Sequence, residues 1–444
     1  MSSTKYHLEC RSCNHEIGDM GAWFESKQQC PECGSKWADV KYSADMSGVK
    51  KLIDIEDHEA KSVFNYFDFL PIDNKENIVT NGEGVIPVQN WAFLEDFAKK
   101  YYNLDLEVNV YRNDLNPGTG TFKDVAASVA ASGLKEHGVK QYCVASTGNI
   151  ASAFSHYLAE AGINLAVFVP ENALKANVAE VSAHGQKIFR VKGDYAMAKK
   201  VAADYAKKNN ILMSGGNTDP LRVEAKKTMV FEWLRQCGQL PDVYIQALSG
   251  GTGPIAIDKA VRDLEGIYEV KNPRYIMVQP SGCDPMTQGW KMAKANNYPE
   301  GWLNEYPIME NPQTEVPTLA TGNPATYPII AKIVKDSDGE IITFNEDLIE
   351  DMARIVAFEK GVKIGPASTT ALGGFFKALE VNALRNGESI IINIGEGMNR
   401  APELVEEMIY TSELVSSADE CKVPNREDYR EKLWATVIPQ EVLK

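Results

Sequence analysis

Apolar runs of strand length alternate with helical stretches from about residue 106 to residue 394, and this order limits the folds open to the chain. Strict alternation is typical of βαβ units, in which parallel strands are covered by helices. Right-handed crossovers bring the loops that follow the strands to one ligand-binding edge. The predicted strands are 106–111, 141–145, 165–170, 187–191, 243–248, 274–279 and 389–394, and the predicted helices are 123–136, 150–161, 196–207 and 222–236.

Composition narrows the functional class. The chain has 444 residues, 44% of them apolar, so two or three ordinary globular domains are expected. A formal net charge of −15 disfavours binding to nucleic-acid phosphates or anionic membranes, and no basic run offsets it. The N-terminus lacks the apolar segment of a signal peptide, and no stretch reaches the length of a membrane span. We therefore expect a cytoplasmic protein whose partners are small molecules.

Four of the eight cysteines lie in the first 33 residues, as two CxxC pairs separated by 16 residues. Two such pairs can place four thiolates around one tetrahedral ion, which predicts a zinc site. Because four protein ligands leave no position open for substrate, a structural role is expected. The alternative is a ribbon without metal. The predicted ligands are Cys10, Cys13, Cys30 and Cys33.

A glycine-rich turn at residues 116–122 leads into a helix of small residues, and Lys123 stands where that helix begins. The positive end of the helix dipole and desolvation both lower the pKa of such a lysine. A lowered pKa favours the neutral amine that forms a Schiff base. An isolated lysine here would more simply be a surface residue at a helix start.

Two further turns follow strands in the same way. Ser146 and Thr147, with the turn amides, form a site suited to a carboxylate. The later turn has few side chains, so its amides can approach a phosphate closely. Together the three turns suggest one cofactor held at three points, with its aldehyde on the lysine. The later turn contains Gly250, Gly251, Thr252 and Gly253.

With these motifs in this order, residues 50–410 resemble threonine synthase, a fold-type-II pyridoxal-phosphate (PLP) enzyme of the tryptophan synthase β superfamily. The turns 116–124 and 146–149 carry the resemblance, together with the landmarks 322–324, 366–368 and 395–397. The resemblance implies that Lys123 carries PLP and that Asn149 contacts the ring hydroxyl. It also implies that Ser146 and Thr147 hold the substrate carboxylate, that residues 250–253 bind the cofactor phosphate and that Arg222 binds the substrate phosphate.

Three positions depart from the threonine synthase pattern. Ile150 replaces a threonine that helps to hold the substrate phosphate, and Val125 stands in place of an arginine. Ile394 replaces the threonine that contacts the pyridine nitrogen, so either that nitrogen is unpaired or another group such as Glu396 reaches it. The asparagine-isoleucine lead into the last glycine loop resembles cysteate synthase, which replaces the phosphate of phosphoserine with sulfite.

The expected fold is α/β, with two open, mostly parallel sheet subdomains and a small N-terminal zinc ribbon. The predicted divisions are a ribbon at 1–42, a larger PLP-binding subdomain at 43–129 plus 236–444, and a smaller inserted subdomain at 130–235. The leading hypothesis is conversion of O-phosphohomoserine and water to threonine and phosphate. The alternatives are β-replacement on O-phosphoserine or another O-substituted serine, and a non-catalytic binding protein. The resemblance also implies a homodimer.

Overall fold

The computed structural model describes residues 5–56, 59–146, 148–171, 173, 175–268, 270–403 and 412–438. Its strands, numbered in chain order, are β1 (Tyr6–Cys10), β2 (Glu16–Gly18), β3 (Ala38–Tyr42), β4 (Val88–Asn90), β5 (Glu107–Tyr111), β6 (Gln141–Ala145), β7 (Asn164–Pro170), β8 (Lys187–Val191), β9 (Leu212–Met213), β10 (Val243–Ala247), β11 (Arg274–Pro280), β12 (Glu340–Phe344) and β13 (Ser389–Asn393).

The α-helices of these residues, also numbered in chain order, are α1 (Met20–Glu25), α2 (Val49–Ile53), α3 (Ala92–Tyr102), α4 (Lys123–Glu136), α5 (Asn149–Glu160), α6 (Lys175–Ala183), α7 (Tyr195–Asn209), α8 (Pro220–Cys237), α9 (Thr252–Leu264), α10 (Pro285–Ala295), α11 (Tyr327–Asp336), α12 (Ile349–Lys360), α13 (Pro366–Glu380) and α14 (Arg426–Val437). No helix in the described ranges combines the length and apolar character needed to cross a bilayer.

The largest sheet has the strand order β12-β11-β10-β13-β5-β4. Every neighbouring pair in it is parallel except β4 with β5. Both faces are buried, since Val243 and Ile245 of β10 lie in one apolar core and Tyr244 lies in another. A strand buried on both faces reads as a continuous apolar run, which is the pattern seen in the sequence.

A second, four-stranded parallel sheet has the order β8-β7-β6-β9. Helix α7 covers one face, where Cys143 packs with Ala202, while α4 and α5 lie in the core on the other face. Residues 5–42 form the ribbon, a third, antiparallel sheet with the strand order β2-β1-β3. The short helix α1 lies between β2 and β3 in the chain. Leu8 and Trp23 of this ribbon belong to the same apolar core as α4 and α5, so the ribbon packs on the smaller sheet.

These sheets confirm the predicted α/β class. The seven predicted strands and four predicted helices are present, with ends that differ from the prediction by at most two residues. The sequence reading missed β12 and the two short strands β4 and β9. A two- or three-residue strand has too few side chains to show a period of two. The predicted subdomain limits near residues 42, 129 and 235 stay a prediction.

Candidate active site

A cavity of about 840 Å³ opens at the carboxyl ends of the strands of both parallel sheets. Its wall includes Lys123 at the start of α4 and the loops that follow β6, β10 and β13. Chain regions far apart in sequence meet here because parallel strands end at the same edge of a sheet. The lysine turn, the turn after β6 and the glycine turn after β10 therefore all contribute residues to one cavity.

Lys123 is the first residue of α4 and is held by a tightly bonded turn. The backbone N–H of Lys123 donates to Thr121 Oγ1 at 3.1 Å, and Asp124 accepts from the N–H of Thr121 at 3.0 Å. The preceding N–H, of Phe122, donates to the carbonyl of Gly395 at 3.0 Å, which ties the turn to the loop after β13. These bonds orient the lysine toward the cavity.

The amine of Lys123 is partly protected from water. Desolvation, reinforced by the nearby Arg222 guanidinium, lowers the pKa of Lys123 to about 7. Contact with Lys226 and the charge of Glu396 act in the opposite direction. An amine with a pKa near 7 is largely neutral at physiological pH and therefore nucleophilic. This is the property that a lysine needs to react with an aldehyde.

Lys226 is a residue that the sequence reading missed. Its Nζ lies 4.1 Å from the centroid of the Phe122 ring, as does Nζ of Lys123, so the two amines are neighbours. Lys226 is fully buried, and in the described residues its Nζ has no oxygen acceptor. Burial, followed by the charges of Lys123 and Arg222, holds the pKa of Lys226 far below its usual value. The sequence signal that could have identified Lys226 is its position one helical turn after Arg222, on the same side of α8.

Arg222 lies in α8 and lines the cavity. It is buried, and its Nε has no hydrogen-bond partner among the described residues. Its Nη1 makes a long contact of 3.5 Å to Ser214 Oγ, and the buried carboxylate of Asp219 is close enough to interact with its charge. A buried guanidinium with free donors is costly unless an anion satisfies it. Arg222 Nε and Lys226 Nζ are therefore two buried donors of α8 that have no hydrogen-bond acceptor in the described part of the chain.

Glu396 and Asn149 form a bonded pair across the cavity wall. Asn149 Nδ2 donates to Glu396 Oε2 at 2.5 Å, and Arg400 Nε donates to Asn149 Oδ1 at 3.1 Å. The second carboxylate oxygen of Glu396 accepts from the N–H of Ala367 at 2.8 Å. Burial raises the pKa of Glu396, against these hydrogen bonds. One amide hydrogen of Asn149 remains available to a ligand.

Ile394 does not contribute to the wall of the cavity. Its side chain is fully buried in the core on one face of the largest sheet. The neighbouring Asn393 and Glu396 line the cavity instead. Glu396 is therefore the acidic group of this loop that can face a bound ring. The sequence analysis raised Glu396 as one alternative for the ring nitrogen, and that role stays a prediction.

The glycine turn after β10 leads into α9 and has no room for side chains. A Cβ on Gly250 would lie 1.8 Å from Asn217 Nδ2, and one on Gly253 would lie 2.1 Å from Gln246 Oε1. Gly251 has a φ of +79°, a conformation that favours glycine. Thr252, also in this turn, donates through Oγ1 to Asn217 Oδ1 at 2.8 Å. A helix N-terminus reached by bare backbone fits a phosphate group.

The predicted carboxylate site is only partly described. Ser146 lines the cavity at the end of β6, and its Oγ accepts from the N–H of Gly148 at 3.2 Å. Thr147 lies outside the described residues. The loop then enters α5, whose first residue is Asn149. Taken with the reactive lysine and the glycine turn, the residues present fit PLP.

The four N-terminal cysteines converge in the ribbon. Their Sγ atoms all lie within 4.8 Å of one another, and both the Cys10–Cys33 and the Cys13–Cys30 pairs are 3.6 Å apart. Tetrahedral zinc with Zn–S bonds of about 2.3 Å separates its sulfur ligands by roughly 3.8 Å. The geometry thus fits a four-thiolate metal site. His15 is not a member of this group.

The two CxxC pairs have the same backbone turn. The N–H of Asn14 donates to the carbonyl of Cys10, and the N–H of Gly34 donates to that of Cys30, both at 2.9 Å. Asn14 and Gly34 have φ values of 58° and 73°. The left-handed residue lets the chain turn back so that both thiols of a pair face one point.

Comparison with known proteins identifies the family of the chain. The family model described as "Pyridoxal-phosphate dependent enzyme" matches residues 79–395. Threonine synthase of Methanosarcina acetivorans is 28% identical over 398 residues, which cover 87% of this chain and 90% of that protein. Threonine synthase of Methanocaldococcus jannaschii is 26% identical over 390 residues, covering 84% and 92% of the two chains.

Solved structures share the fold at lower identity. Diaminopropionate ammonia lyase from Escherichia coli has a TM-score of 0.61 at 14% identity, covering 81% of this chain and 93% of its own. Threonine deaminase isoform 2 from Solanum lycopersicum has a TM-score of 0.57 at 17% identity, covering 82% and 89%. The family model covers most of the chain and includes the lysine turn at 116–124 and the glycine turn at 250–253. The chain therefore belongs to the pyridoxal-phosphate dependent enzyme family and is a threonine synthase-like member of it.

Proposed function

We propose that the protein carries out elimination and replacement on a phosphorylated amino acid, converting O-phosphohomoserine and water to threonine and phosphate. The observation that carries this proposal is Arg222, a buried guanidinium whose Nε has no hydrogen-bond partner among the described residues and which lies near the amines of Lys123 and Lys226. The cofactor phosphate fits the separate glycine turn at residues 250–253. A second anion, brought by the substrate, would therefore serve as the hydrogen-bond acceptor for Arg222 of α8.

The proposed roles follow from the contacts. Bound PLP supplies the electron sink for negative charge that develops at the substrate Cα. Lys123 binds the cofactor and, once its amine is free, accepts and returns protons at the substrate carbons. Ser146, Thr147 and the start of α5 hold the substrate carboxylate. Arg222 receives the substrate phosphate with a planar, multidentate set of donors.

Asn149 and Glu396 are proposed to contact the cofactor ring. The amide hydrogen that Asn149 retains suits the ring hydroxyl, and a carboxylate at Glu396 would stabilise a protonated ring nitrogen. Because the side chains of Asn149 and Glu396 are hydrogen-bonded to each other, a substitution at either residue should also move the side chain of the other. We also propose zinc as the ion held by Cys10, Cys13, Cys30 and Cys33, in a structural role. A homodimer and the three-part division of the chain remain proposals.

A second candidate is β-replacement on O-phosphoserine, as in cysteate synthase. It is favoured by the Asn393–Ile394 lead into the last glycine loop, which resembles cysteate synthase, with Asn393 in the cavity wall. Ile150 favours neither reaction, since the patterns of both relatives have a threonine at that position. Both reactions use the same lysine and the same buried arginine, so the substrate must be tested directly.

The deciding experiment incubates purified protein and PLP with O-phosphohomoserine, and separately with O-phosphoserine plus sulfite. Threonine and stoichiometric phosphate in the first mixture alone support the leading proposal, whereas cysteate in the second mixture alone replaces it with the alternative. Lys123→Ala is expected to lose the visible absorbance of bound cofactor and at least a thousandfold in rate. Lys41→Ala, a ribbon lysine outside the cavity wall, serves as the control and should retain both.

A further inference from the structure

The metal-binding ribbon is part of the wall of the cavity that contains Lys123. The ribbon residues at this wall come from helix α1, the turn after it and the segment after the second CxxC pair, and they are Trp23, Lys27, Gln28, Gln29 and Lys36. Neither the sequence motifs nor the proposed reaction explains why a structural metal ribbon should face the substrate. Its position gives these residues access to a bound ligand.

Specific hydrogen bonds hold the ribbon against the segment that leads into α8. Gln28 Nε2 donates to the carbonyl of Met213 at 2.6 Å, and Lys27 Nζ donates to Asn210 Oδ1 at 2.7 Å. Thr218 Oγ1 donates to the carbonyl of Lys36 at 3.2 Å. The docked segment ends four residues before Arg222. The ribbon therefore lies on the same side of the cavity as the proposed site for the substrate phosphate.

Gln28 is buried with one polar atom unsatisfied. Its exposed fraction is 7%, and its Oε1 has no hydrogen-bond partner among the described residues. A Cβ on Gly215 would lie 2.9 Å from this oxygen, so the adjoining backbone is kept bare beside it. Because burying an acceptor without a donor costs free energy, a ligand that donates a hydrogen bond here would stabilise the wall.

Charge around the cavity opposes the charge of the whole chain. Four exposed lysines line the wall near the ribbon, two from the ribbon and two from α7, and in the described part of the chain no acidic side chain forms an ion pair with them: Lys27, Lys36, Lys199 and Lys207. The acidic residues of the wall, Asp219 and Glu396, are buried deeper. In a chain of net charge −15, this mouth is suited to attract an anion.

The metal site holds these wall residues in place. Gln28 precedes the ligand Cys30 by two residues, and Lys36 follows the ligand Cys33 by three. The turn at Gln28 has a strained backbone, with φ values of 61° at Lys27 and 59° at Gln28. Non-glycine residues in this region cost free energy unless the surrounding structure holds them. Metal coordination at the second CxxC pair fixes both ends of this part of the wall.

We propose that residues 27–36 of the ribbon form the outer part of the substrate site, where Lys27 and Lys36 attract the phosphorylated end of the ligand and Gln28 holds this part of the ribbon in place through its bond to Met213. The inference rests on the proposed function only in taking a phosphorylated amino acid as the ligand. It assigns the ribbon a role in substrate binding. It also makes metal binding and substrate binding thermodynamically coupled, because the ion orders residues that contact the ligand.

The first test measures binding of inorganic phosphate to the full-length, PLP-loaded, zinc-loaded protein by calorimetry. Cofactor already fills the glycine turn, so the titration reports on the remaining anion sites. Lys27→Ala and Lys36→Ala are each expected to weaken phosphate binding about threefold, and the double variant about tenfold, as for exposed charge pairs. Gln28→Leu is expected to weaken it further in the same direction. Lys41→Ala, on β3 and outside the wall, should bind as wild type.

Turnover supplies a second readout. With O-phosphohomoserine, the lysine variants should raise KM by the same factors and leave kcat within about twofold, because uniform binding is lost without change to the reacting groups. If the wild-type protein turns over neither phosphorylated substrate but the calorimetric differences persist, the proposed function fails and this inference stands. If the double variant binds phosphate as tightly as Lys41→Ala does, the inference is overturned.

The coupling is tested by removing the metal with a chelator, with zinc content and the visible spectrum of the cofactor recorded. We expect phosphate binding to weaken about tenfold or more while the cofactor spectrum is retained, which shows that the two parallel sheets are still folded. Cys33→Ser provides an independent route to the same state. Unchanged phosphate binding in metal-free protein with an intact spectrum would overturn the coupling.

Discussion

At the scale of single residues, the least expected feature is the environment of two adjacent lysines. Lys226 and Lys227 follow each other in α8, and both are fully buried. Lys226 reaches the ring of Phe122 beside Lys123, whereas Lys227 pairs with Glu224 and with Asp263. Consecutive side chains on a helix point about 100° apart. Lys226 therefore lies next to the cavity, whereas Lys227 lies in the interface between α8 and α9.

The pKa of Lys123 gives a prediction about pH. Only the neutral amine reacts with an aldehyde, so the rate at which apo-protein takes up PLP should rise with pH and reach half of its maximum near pH 7. An ordinary lysine would show this midpoint near its usual pKa of about 10.4. Stopped-flow absorbance of added PLP at a series of pH values measures the midpoint.

Two variants should move this midpoint in opposite directions. Arg222→Met removes a cation that lowers the pKa of Lys123, so the midpoint should rise. Lys226→Met removes a contact that raises the pKa of Lys123, so the midpoint should fall. Lys41→Met is the matched control, with no shift. Movement of both midpoints in the same direction would contradict the description of the amine pair.

At the scale of elements, α8 connects the cavity, the ribbon and α9. One side of the helix carries Arg222 and Lys226 toward the cavity. Another carries Glu224, which accepts from Tyr42 of the ribbon at 2.9 Å and lies 3.5 Å from Lys259 of α9. Buried charges need partners, and on this side of α8 Glu224 and Lys227 find them in residues of the ribbon and of α9.

Removing one member of this charge cluster should destabilise the fold. Lys259→Met leaves Glu224 and Asp263 buried with one cation fewer, and we expect a loss of about 3–5 kcal/mol in the free energy of unfolding. Chemical denaturation followed by circular dichroism measures it. The exposed pair Lys332–Asp336, also spaced i, i+4, offers the control Lys332→Met, which should cost less than about 1 kcal/mol. Equal losses in the two variants would contradict a buried cluster.

The pKa directions in the cluster define its pH range. Lys227 and Lys259 lower the pKa of Asp263 despite its burial, so its contribution is lost only as pH falls below the usual carboxyl range of about 4. Glu224 and Asp263 raise the pKa of Lys259 despite burial, so its contribution is lost only above its usual pKa of about 10.4. The stability difference between wild type and Lys259→Met should therefore stay constant from pH 5 to pH 9.

At the scale of the whole molecule, the charge at the mouth of the cavity is opposite in sign to the net charge of the chain. The chain carries 61 acidic and 46 basic residues, yet its cavity mouth is lined by lysines of the ribbon and of α7. Fields of this kind act over a distance set by ionic strength, about 10 Å at 0.1 M salt. The lysines at the mouth are closer to an arriving ligand than most acidic side chains are. Their attraction should therefore outweigh the repulsion by the net negative charge.

Salt dependence tests this distribution. For a phosphorylated substrate, kcat/KM should fall severalfold as sodium chloride rises from low concentration to about 0.3 M, because salt screens the attraction. A chain that acted through its net charge of −15 would repel the substrate, and added salt would increase kcat/KM. The sign of the slope therefore decides between the two. An uncharged O-substituted serine, tested in parallel, should show little dependence.

Much of the fold could be predicted from local patterns. The alternation of apolar runs and helical stretches located β5, β6, β7, β8, β10, β11 and β13. The signal is clearest for β10, β11 and β13, since strands buried on both faces are continuous apolar segments. The lysine turn, the glycine turn and the paired cysteines were identified because each chemistry needs particular residues at short spacing. The short strands β4 and β9 could not be found this way, since their pairing depends on neighbours distant in sequence.

The sequence alone determined the α/β class and the family, and it singled out Lys123 and the cysteine quartet as candidates, because each of these signals comes from short local patterns of residues. Only the tertiary structure decided that Lys226 lies beside Lys123, that Glu396 bonds Asn149 and that Gln28 of the ribbon reaches Met213. The last two contacts join residues 247 and 185 positions apart. No local preference specifies such pairs; they arise when packing of the sheets and helices brings their ends together.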